Sequence, residues 1–172
     1  MARIPYPTRE QLEQEAAVAL DGMKPMNIFR MLARADALAP PIFDATTRLF
    51  TRGRTQLSAR LRQVAILRVA GTSGFDYLVA HHKPISARVG LSAEEIEAAR
   101  DGCLEKLGAQ EQAVARFATE STITGDVSDA TFESVRGFLQ DRELVELSVV
   151  VGLYNCLGRV LKALRIETEV TI

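Results

Sequence analysis

The chain has 172 residues, of which 47% are hydrophobic and 25% are charged, and its formal net charge at pH 7 is −1. These fractions are typical of soluble globular domains, and the length predicts a single domain whose core is large enough to be stable without metals or disulfides. The balanced charge lacks the basic excess of nucleic-acid-binding domains, so we expect no nucleic-acid partner.

Helix signals dominate the first half of the chain. Thr8 and Gln11 form a capping pair that predicts a helix to about Asp21. Ser58 and Ser92 are suited to cap two later helices, and the Gly-Thr-Ser-Gly run at 71–74 predicts a break. The predicted helices that follow the first are residues 27–35, 42–50, 59–70, 75–88 and 92–102.

The second half shows the same pattern, with helices predicted over residues 110–121, 130–138 and 141–164. The valines at 149–151 favour a strand on intrinsic propensity, but the apolar pattern around them extends over more than twenty residues, which is too long for a strand. Because this last helix is apolar on nearly all sides, we expect it to be central and covered. No other segment alternates as a strand does, so the predicted fold class is all-α.

The cysteines and the apolar runs point to a cytoplasmic protein. No apolar run reaches the length of roughly 18 residues that crosses a bilayer, and the first residues lack a secretory apolar run, so we expect no membrane partner. Cys103 and Cys156 form no Cys-x-x-Cys pair, and a disulfide between them is not expected in a reducing compartment. Cys156 lies in a very apolar segment and is predicted to be a small buried side chain.

The two histidines of the chain are adjacent, at His81 and His82. At helical spacing His82 shares a face with Phe75 and Leu78, and His81 shares a face with Tyr77. If the first face is internal, desolvation lowers the pKa of His82 and keeps the imidazole neutral. A structural role, as a core histidine bonded to a carbonyl or hydroxyl, is the alternative. Neither histidine has a metal-ligating residue at the spacing used on helices, so no metal site is expected.

Three segments together resemble the carboxymuconolactone decarboxylase-like family, which includes the alkylhydroperoxidase-D-like proteins. They are Leu-Arg-Gln-Val-Ala-Ile-Leu-Arg-Val-Ala at 61–70, Phe-Asp-Tyr-Leu-Val-Ala-His-His at 75–82 and Gly-Leu-Ser-Ala-Glu-Glu-Ile at 90–96. Asp-Arg-Glu-Leu-Val-Glu-Leu at 141–147 and Tyr-Asn-Cys-Leu-Gly-Arg at 154–159 add to the resemblance. It implies an alkylhydroperoxidase-D-like helical fold with a core at about residues 40–165, and a homo-oligomer that is a trimer or a hexamer.

The departures from the family pattern bear on the reaction. The cysteine positions of the alkylhydroperoxidase-D-like members hold Phe75 and Leu78, Gln63 stands in the place of a glutamate, and His82 is kept. Thiol peroxidase chemistry needs an attacking thiolate and a resolving thiol, so that activity is not expected. The decarboxylase-like members carry a glutamate four residues before the histidine, where this chain has Leu78, so the decarboxylase assignment stays open.

The remaining candidates lie on the helix of His82 and on the last helix. His82 and Glu146 are the candidate catalytic residues, the latter because a carboxylate among apolar residues must be paired or protonated. A salt bridge from Glu146 to Arg142 is the structural alternative. The candidate substrate-binding residues are Phe75, Leu78, His81, Tyr154 and Arg159, of which Arg159 suits a substrate carboxylate or a contact between subunits.

These residues favour a lyase-like acid–base enzyme that acts on a small organic acid or lactone without a cofactor. A non-catalytic member of the family, which binds a small ligand or serves assembly, is the alternative.

Overall fold

Over residues 1–169, which the computed structural model describes, the chain forms nine α-helices and no strand. The helices are α1 (Gln14–Asp21), α2 (Asn27–Leu32), α3 (Ala39–Phe50), α4 (Ala59–Ser73), α5 (Asp76–Arg88), α6 (Ala93–Asp101), α7 (Ala109–Thr124), α8 (Asp129–Arg136) and α9 (Asp141–Leu164). Short 3-10 turns lie at Arg9–Gln11, Ala33–Leu38 and Leu104–Lys106. The predicted all-α fold class is confirmed.

The predicted caps begin and end two of these helices. Ser58 Oγ accepts a hydrogen bond from the backbone N–H of Leu61 at 3.2 Å at the start of α4. At the start of α6, Ser92 and Glu95 form a capping box, in which each side chain accepts from the backbone N–H of the other residue. Gly102 ends α6 in the left-handed conformation, with φ at 86°. Local capping chemistry therefore sets these boundaries.

The predicted break at residues 71–74 is wrong in its position. Helix α4 continues through Ser73 and ends only at Gly74, which is left-handed with φ at 62°. Gly71 lies inside the helix because the backbone of α6 passes directly over it. A Cβ atom added at Gly71 would lie 1.9 Å from the carbonyl oxygen of Arg100. The glycine therefore permits close helix packing rather than a turn.

The N-terminal segment is less regular than the capping pair predicts. Thr8 and Gln11 enclose only a 3-10 turn, in which the backbone N–H of Thr8 donates to Oε1 of Gln11. The chain is extended at Leu12 before α1 begins. The two prolines at 40–41 stand in the first turn of α3, where the missing backbone N–H costs no helical hydrogen bond.

The chain forms two compact units, and the single-domain organisation remains a prediction. Among the described residues, the first unit comprises Met1–Arg54 and residues 160–169. Within it, Phe29 on α2 packs edge-to-face on Phe43 on α3 with a centroid distance of 5.4 Å.

The second unit comprises Thr55–Arg159 and is organised around α4, which packs against α5, α6 and α7. Helix α4 is buried on all sides over most of its length, and its fully covered side chains include Gln63, Val64, Ile66, Leu67 and Val69. Burial of an aliphatic side chain of this size contributes about 1.5–3 kcal/mol, so α4 contributes strongly to the stability of the core in this unit.

Helix α9 is the long helix that the apolar pattern predicts, and it buries Leu147, Val150 and Val151. It is less covered than predicted, because Val145 and Val149 are 63% and 52% exposed. Among residues 1–169, α9 alone is long and apolar enough to cross a membrane, a possibility that the sequence interpretation missed. Half of its apolar window is buried inside the protein.

Candidate functional site

Three buried polar side chains of the second unit form a hydrogen-bonded cluster. Nδ1 of His82 lies 2.9 Å from Oε1 of Gln63, and Ser86 Oγ donates to the same oxygen at 3.2 Å. Gln63 and Ser86 are both 0% exposed. Because Oε1 is an acceptor, the contact places the imidazole proton on Nδ1 and makes Nε2 the basic nitrogen of His82.

Helices α4 and α5 supply this cluster. Gly74 turns the chain between them, and His82 and Ser86 stand one helical turn apart on the same side of α5. Phe75 and Leu78 are buried along with His82, so the predicted internal face of α5 is confirmed. Phe75 is also fixed by α9, since a Cβ atom added at Gly158 would lie 2.2 Å from its ring.

Burial dominates the titration of His82. It lowers the pKa of the imidazole from 6.5 to about 3, and the nearby charges of His81 and Arg62 act in the same direction. The predicted direction of the shift is therefore confirmed, and the imidazole is neutral at physiological pH. A neutral imidazole can accept a proton from a substrate only where the developing negative charge is stabilised nearby.

Tyr154 on α9 lies beside the imidazole. The ring centroids of His82 and Tyr154 are 5.0 Å apart, and the rings meet edge-to-face at 86°. Burial raises the pKa of Tyr154, with the charge of Arg62 acting in the opposite direction, so the phenol keeps its proton. The structure thus brings one predicted substrate-binding residue into contact with the candidate catalytic histidine.

Arg62 is a charged residue of this region that the sequence analysis did not single out. It is 8% exposed, and its Nη1 atom donates to Thr55 Oγ1 at 3.1 Å and to the carbonyl oxygen of Leu57 at 3.4 Å. Burial lowers its pKa, while Tyr154 and Glu146 act in the opposite direction. Because a guanidinium keeps its charge in proteins, the region around His82 carries a buried positive charge. The sequence did contain a signal for this residue, because Arg62 stands inside an otherwise apolar helical run.

Glu146, the second candidate catalytic residue, holds the chain before α4 in place. Its Oε2 atom accepts hydrogen bonds from the backbone N–H groups of Gln56 at 2.8 Å and Leu57 at 2.7 Å, and Arg142 Nε donates to Oε1 at 2.9 Å. Burial acts to raise the pKa of Glu146, but these bonds outweigh it and hold the pKa below its ordinary value. The salt bridge to Arg142, which the sequence offered as the structural alternative, is present in the structure.

His81 and Arg159, two other predicted substrate-binding residues, are not members of the hydrogen-bonded cluster of His82, Gln63 and Ser86. His81 is half-buried, and its ring packs against that of Tyr77 at a tilt of 43°, with a centroid distance of 4.5 Å. Arg159 is exposed on α9 and is not part of the buried cluster around His82.

Both cysteines are free and exposed, so the prediction of a buried Cys156 is wrong. Its segment is apolar, but Cys156 lies on the outward side of α9 with Val145 and Val149. Within residues 1–169, no group of three or more His, Cys, Asp or Glu side chains is placed to hold a metal ion.

A surface cleft of the second unit has a different lining. It is formed by residues that include Arg68, Asp101, Arg116 and Glu120, and it contains no member of the cluster around His82. Arg68 is engaged there, because its guanidinium donates to Thr119 Oγ1 and to the carbonyl oxygen of Arg100.

Residues 40–120 match the carboxymuconolactone decarboxylase family. Over these residues the chain is similar to that family. The match includes α4 and α5, which carry Gln63 and His82, and it confirms the resemblance drawn from the sequence. No curated protein matches the carboxymuconolactone decarboxylase-like chain.

Solved structures share the fold of this carboxymuconolactone decarboxylase-like chain. One is an alkylhydroperoxidase AhpD core, an uncharacterized peroxidase-related protein from Ralstonia eutropha JMP134, with a TM-score of 0.80, 16% identity and coverage of 98% of this chain and 92% of that chain. Another is an uncharacterized peroxidase-related protein from Silicibacter sp. TM1040, with a TM-score of 0.77, 17% identity and coverage of 98% and 92%. A protein of unknown function from Agrobacterium tumefaciens has a TM-score of 0.69, 24% identity and coverage of 80% and 95%. At these identities the similarity establishes the alkylhydroperoxidase-D-like fold.

Proposed function

We propose that this protein is a lyase-like acid–base enzyme that acts on a small organic acid or lactone without a cofactor, with His82 transferring the proton. The observation that carries the proposal is the neutral imidazole of His82, held through Nδ1 by Gln63 in a region that also holds the buried charge of Arg62. In the free protein the cation weakens the imidazole as a base, and a bound anionic substrate would offset that charge and raise the pKa of His82 towards the range of a general base.

Each side chain has a distinct task in this proposal. Nε2 of His82 takes the proton, and the guanidinium of Arg62 offsets the negative charge that develops on the substrate. Nε2 of Gln63 is buried and, among the residues described, has no hydrogen-bond partner. A buried donor without a partner is costly, and a substrate oxygen would satisfy it. In this proposal the substrate would also contact Phe75 and Leu78, which are buried on the same face of α5, and Tyr154, whose ring packs against His82.

The proposal excludes a thiol mechanism on α5. Two structures with the same fold are described as peroxidase-related. In this chain Phe75 and Leu78 occupy the positions at which the resemblance places the thiols, and neither can form a thiolate or a disulfide. Cys103 and Cys156 are exposed rather than part of the buried cluster.

We also propose that the protein is cytoplasmic and that its partner is a small molecule.

The test follows proton transfer directly, so the product need not be known. Purified protein is incubated in D₂O with lactones, keto acids and hydroxy acids, and deuterium uptake at carbon is followed by NMR. We expect His82→Gln to lower the exchange rate by about 10²–10⁴-fold, the usual contribution of a general acid or base. Arg88→Gln is the matched control, because Arg88 is exposed on the same helix.

Circular dichroism verifies that each variant is folded. An exchange rate that His82→Gln leaves unchanged on a substrate found in this way would show the proposal to be wrong. A ligand that raises the melting temperature while no compound exchanges or turns over would indicate the ligand-binding alternative instead.

A further inference from the structure

The surface cleft of the second unit, which we call the arginine cleft, has a volume of about 250 Å³. Two of its lining residues are arginines, Arg68 on α4 and Arg116 on α7, and the end of α6 supplies Asp101 and Gly102. Pockets for drug-sized ligands have roughly 300–1,000 Å³, so this cleft suits a smaller molecule. Because the cleft contains no member of the cluster around His82, a ligand there would be distinct from the substrate of the proposed reaction.

The guanidinium of Arg68 is fixed in direction but is not saturated. Its Nε atom donates to Thr119 Oγ1 at 2.8 Å, and its Nη1 atom donates to the carbonyl oxygen of Arg100 at 2.6 Å. A Cβ atom added at Gly102 would lie 2.8 Å from Nη1, so the glycine makes room for the group. These bonds use two of the five N–H groups of a guanidinium, and Nη2 has no acceptor among the described residues.

The positive charges of the arginine cleft lack a counter-ion in direct contact. Arg68 is half-buried, and both of its acceptors are neutral. Burial lowers its pKa, with the charges of Asp101 and Cys103 acting in the opposite direction, and a guanidinium keeps its charge in proteins. Within residues 1–169, neither Arg68 nor Arg116 forms an ion pair. An anion in the cleft would offset the cost of desolvating the buried charge.

The two carboxylates that line the cleft are bound to other groups. Asp101 accepts hydrogen bonds from Nε and Nη2 of Arg100 at 2.6 and 2.8 Å. Glu120 accepts from the backbone N–H and the hydroxyl of Ser128 at 2.8 and 3.0 Å, and from the hydroxyl of Thr131 at 2.6 Å. These carboxylates therefore hold the neighbouring backbone and side chains, and they leave the guanidinium edges available to a ligand.

We propose that the arginine cleft binds a small dianion, with Arg68 and Arg116 each donating to its oxygens. Two cations on two different helices favour a ligand with two negative charges. The paired N–H groups of a guanidinium match the oxygens of a phosphate or a carboxylate, so the ligand is a small phosphorylated compound or a short dicarboxylic acid. Because the ligand would join α4 to α7, its binding stabilises the packing of these helices.

The first experiment is an NMR titration of the ¹⁵N-labelled full chain at pH 7.5 and low ionic strength. Sodium phosphate and sodium succinate are added separately, with sodium chloride at matched ionic strength as the reference. We expect at least one dianion to shift the amide signals of Gly102 and Leu104 to saturation, and chloride to leave them unchanged. Saturation by phosphate alone assigns a phosphorylated ligand, and saturation by succinate alone assigns a dicarboxylic acid. No saturable shift with either, or the same shift with chloride, would overturn the proposal.

The second experiment repeats the titration with Arg116→Gln. The dissociation constant should rise by about tenfold or more, because a charged hydrogen-bond donor is lost. Arg116 is exposed, so the substitution should leave the fold intact. Arg136→Gln is the matched control, because it removes the same charge from an exposed position on α8 outside the cleft. Equal losses of affinity in the two variants would mean that net charge, and not this cleft, holds the anion.

The third experiment places a negative charge inside the cleft. Leu104 is a half-buried lining residue, and Leu104→Glu and Leu104→Gln differ in charge but not in size. The glutamate variant should bind the dianion about tenfold or more weakly than the glutamine variant, because like charges repel at close range. Equal affinities would place the anion elsewhere and contradict the proposal. His82→Gln should bind the dianion as the unmodified chain does, so failure of this site is distinguishable from failure of the proposed reaction.

Discussion

His82 Nδ1 and Gln63 Oε1, which lie 2.9 Å apart, join α5 to α4 through two side chains that are 19 positions apart in the chain. Gln63 is completely buried, so water does not compete for this oxygen. The amide fixes the imidazole tautomer without adding charge. Burial is the main cause of the low pKa of His82, and the neutral amide adds no negative charge that would oppose it.

Replacement of Gln63 by glutamate should raise the pKa of His82 well above its value of about 3. A carboxylate opposite Nδ1–H favours the imidazolium, and its interaction is strong because the site excludes water. The measurement is an NMR titration of the imidazole Cε1–H resonance in the Gln63→Glu protein. Ser86→Ala is the control, because it removes the second hydrogen bond to Oε1 and adds no charge. An unchanged titration in Gln63→Glu would mean that the contact is not kept in solution.

Acid should destabilise the protein through His82. The folded state holds this imidazole neutral down to about pH 3, whereas the unfolded state binds the proton near pH 6.5, so stability is present above pH 6.5 and is lost as the pH falls towards 3. At pH 5 the slope of unfolding free energy against pH should be smaller in His82→Gln by about 1.4 kcal/mol per pH unit, the contribution of one proton. Urea unfolding of both proteins at pH 4.5, 5.0 and 5.5 measures this slope. Parallel slopes in the two proteins would contradict a buried neutral His82.

Loss of the Glu146 carboxylate should destabilise the second unit by about 1–3 kcal/mol, because two backbone N–H groups lose their acceptor. Its lowered pKa means that this stabilisation is complete above the ordinary glutamate range and is lost as the pH falls through the folded pKa. Chemical unfolding of Glu146→Ala at pH 7 is the measurement. Asp44→Ala is the comparison, since the pair between Asp44 and Arg48 is exposed and screened by solvent and should contribute little to stability. Equal effects of the two substitutions would show that the carboxylate does not anchor the chain before α4.

Gly71→Ala should be among the most destabilising single-methyl additions in this chain, by about 1–3 kcal/mol or more. The added carbon would lie 1.9 Å from a backbone oxygen of α6, which has no rotamer to change, so the helices must separate. Thr72→Ala is the control on the next residue of α4. Its hydroxyl is buried and has no hydrogen-bond partner within the described part of the chain, so its removal should be neutral or stabilising. Thermal unfolding distinguishes the two, and a stable Gly71→Ala protein would mean that α4 and α6 pack less closely than observed.

The sequence predicted those features that depend on neighbours in the chain. The caps at Ser58 and Ser92, the stop at Gly102 and the burial of His82 with Phe75 and Leu78 all follow from local spacing. Gly71 was misread because a glycine that turns the chain and one that admits a neighbouring backbone look alike in sequence. The latter is recognised only when α6 is in place.

In the candidate site, too, the sequence predicted the features that depend on one helix and missed those that depend on contacts between helices. Burial of His82 could be read from one helix, but its partner Gln63 and the neighbouring charge of Arg62 come from another, and periodicity does not report contacts between helices. The sequence did not predict the partners of Glu146, because they are backbone N–H donors of the segment before α4, which leave no mark in the side-chain pattern. Cys156 was misplaced because hydropathy averages over the two sides of α9.

Because the two histidines are adjacent, a one-residue insertion in α5 and a one-residue deletion should have different effects on the cluster. Phe75 is held against Gly158, and the cluster position of α5 lies two helical turns beyond it. One residue inserted between Asp76 and His81 would move His81 into the place of His82, so an imidazole would still face Gln63. One residue deleted there would bring Lys83 into the same place and bury an ammonium beside Arg62. Natural variation in this part of α5 should therefore admit a single insertion far more readily than a single deletion.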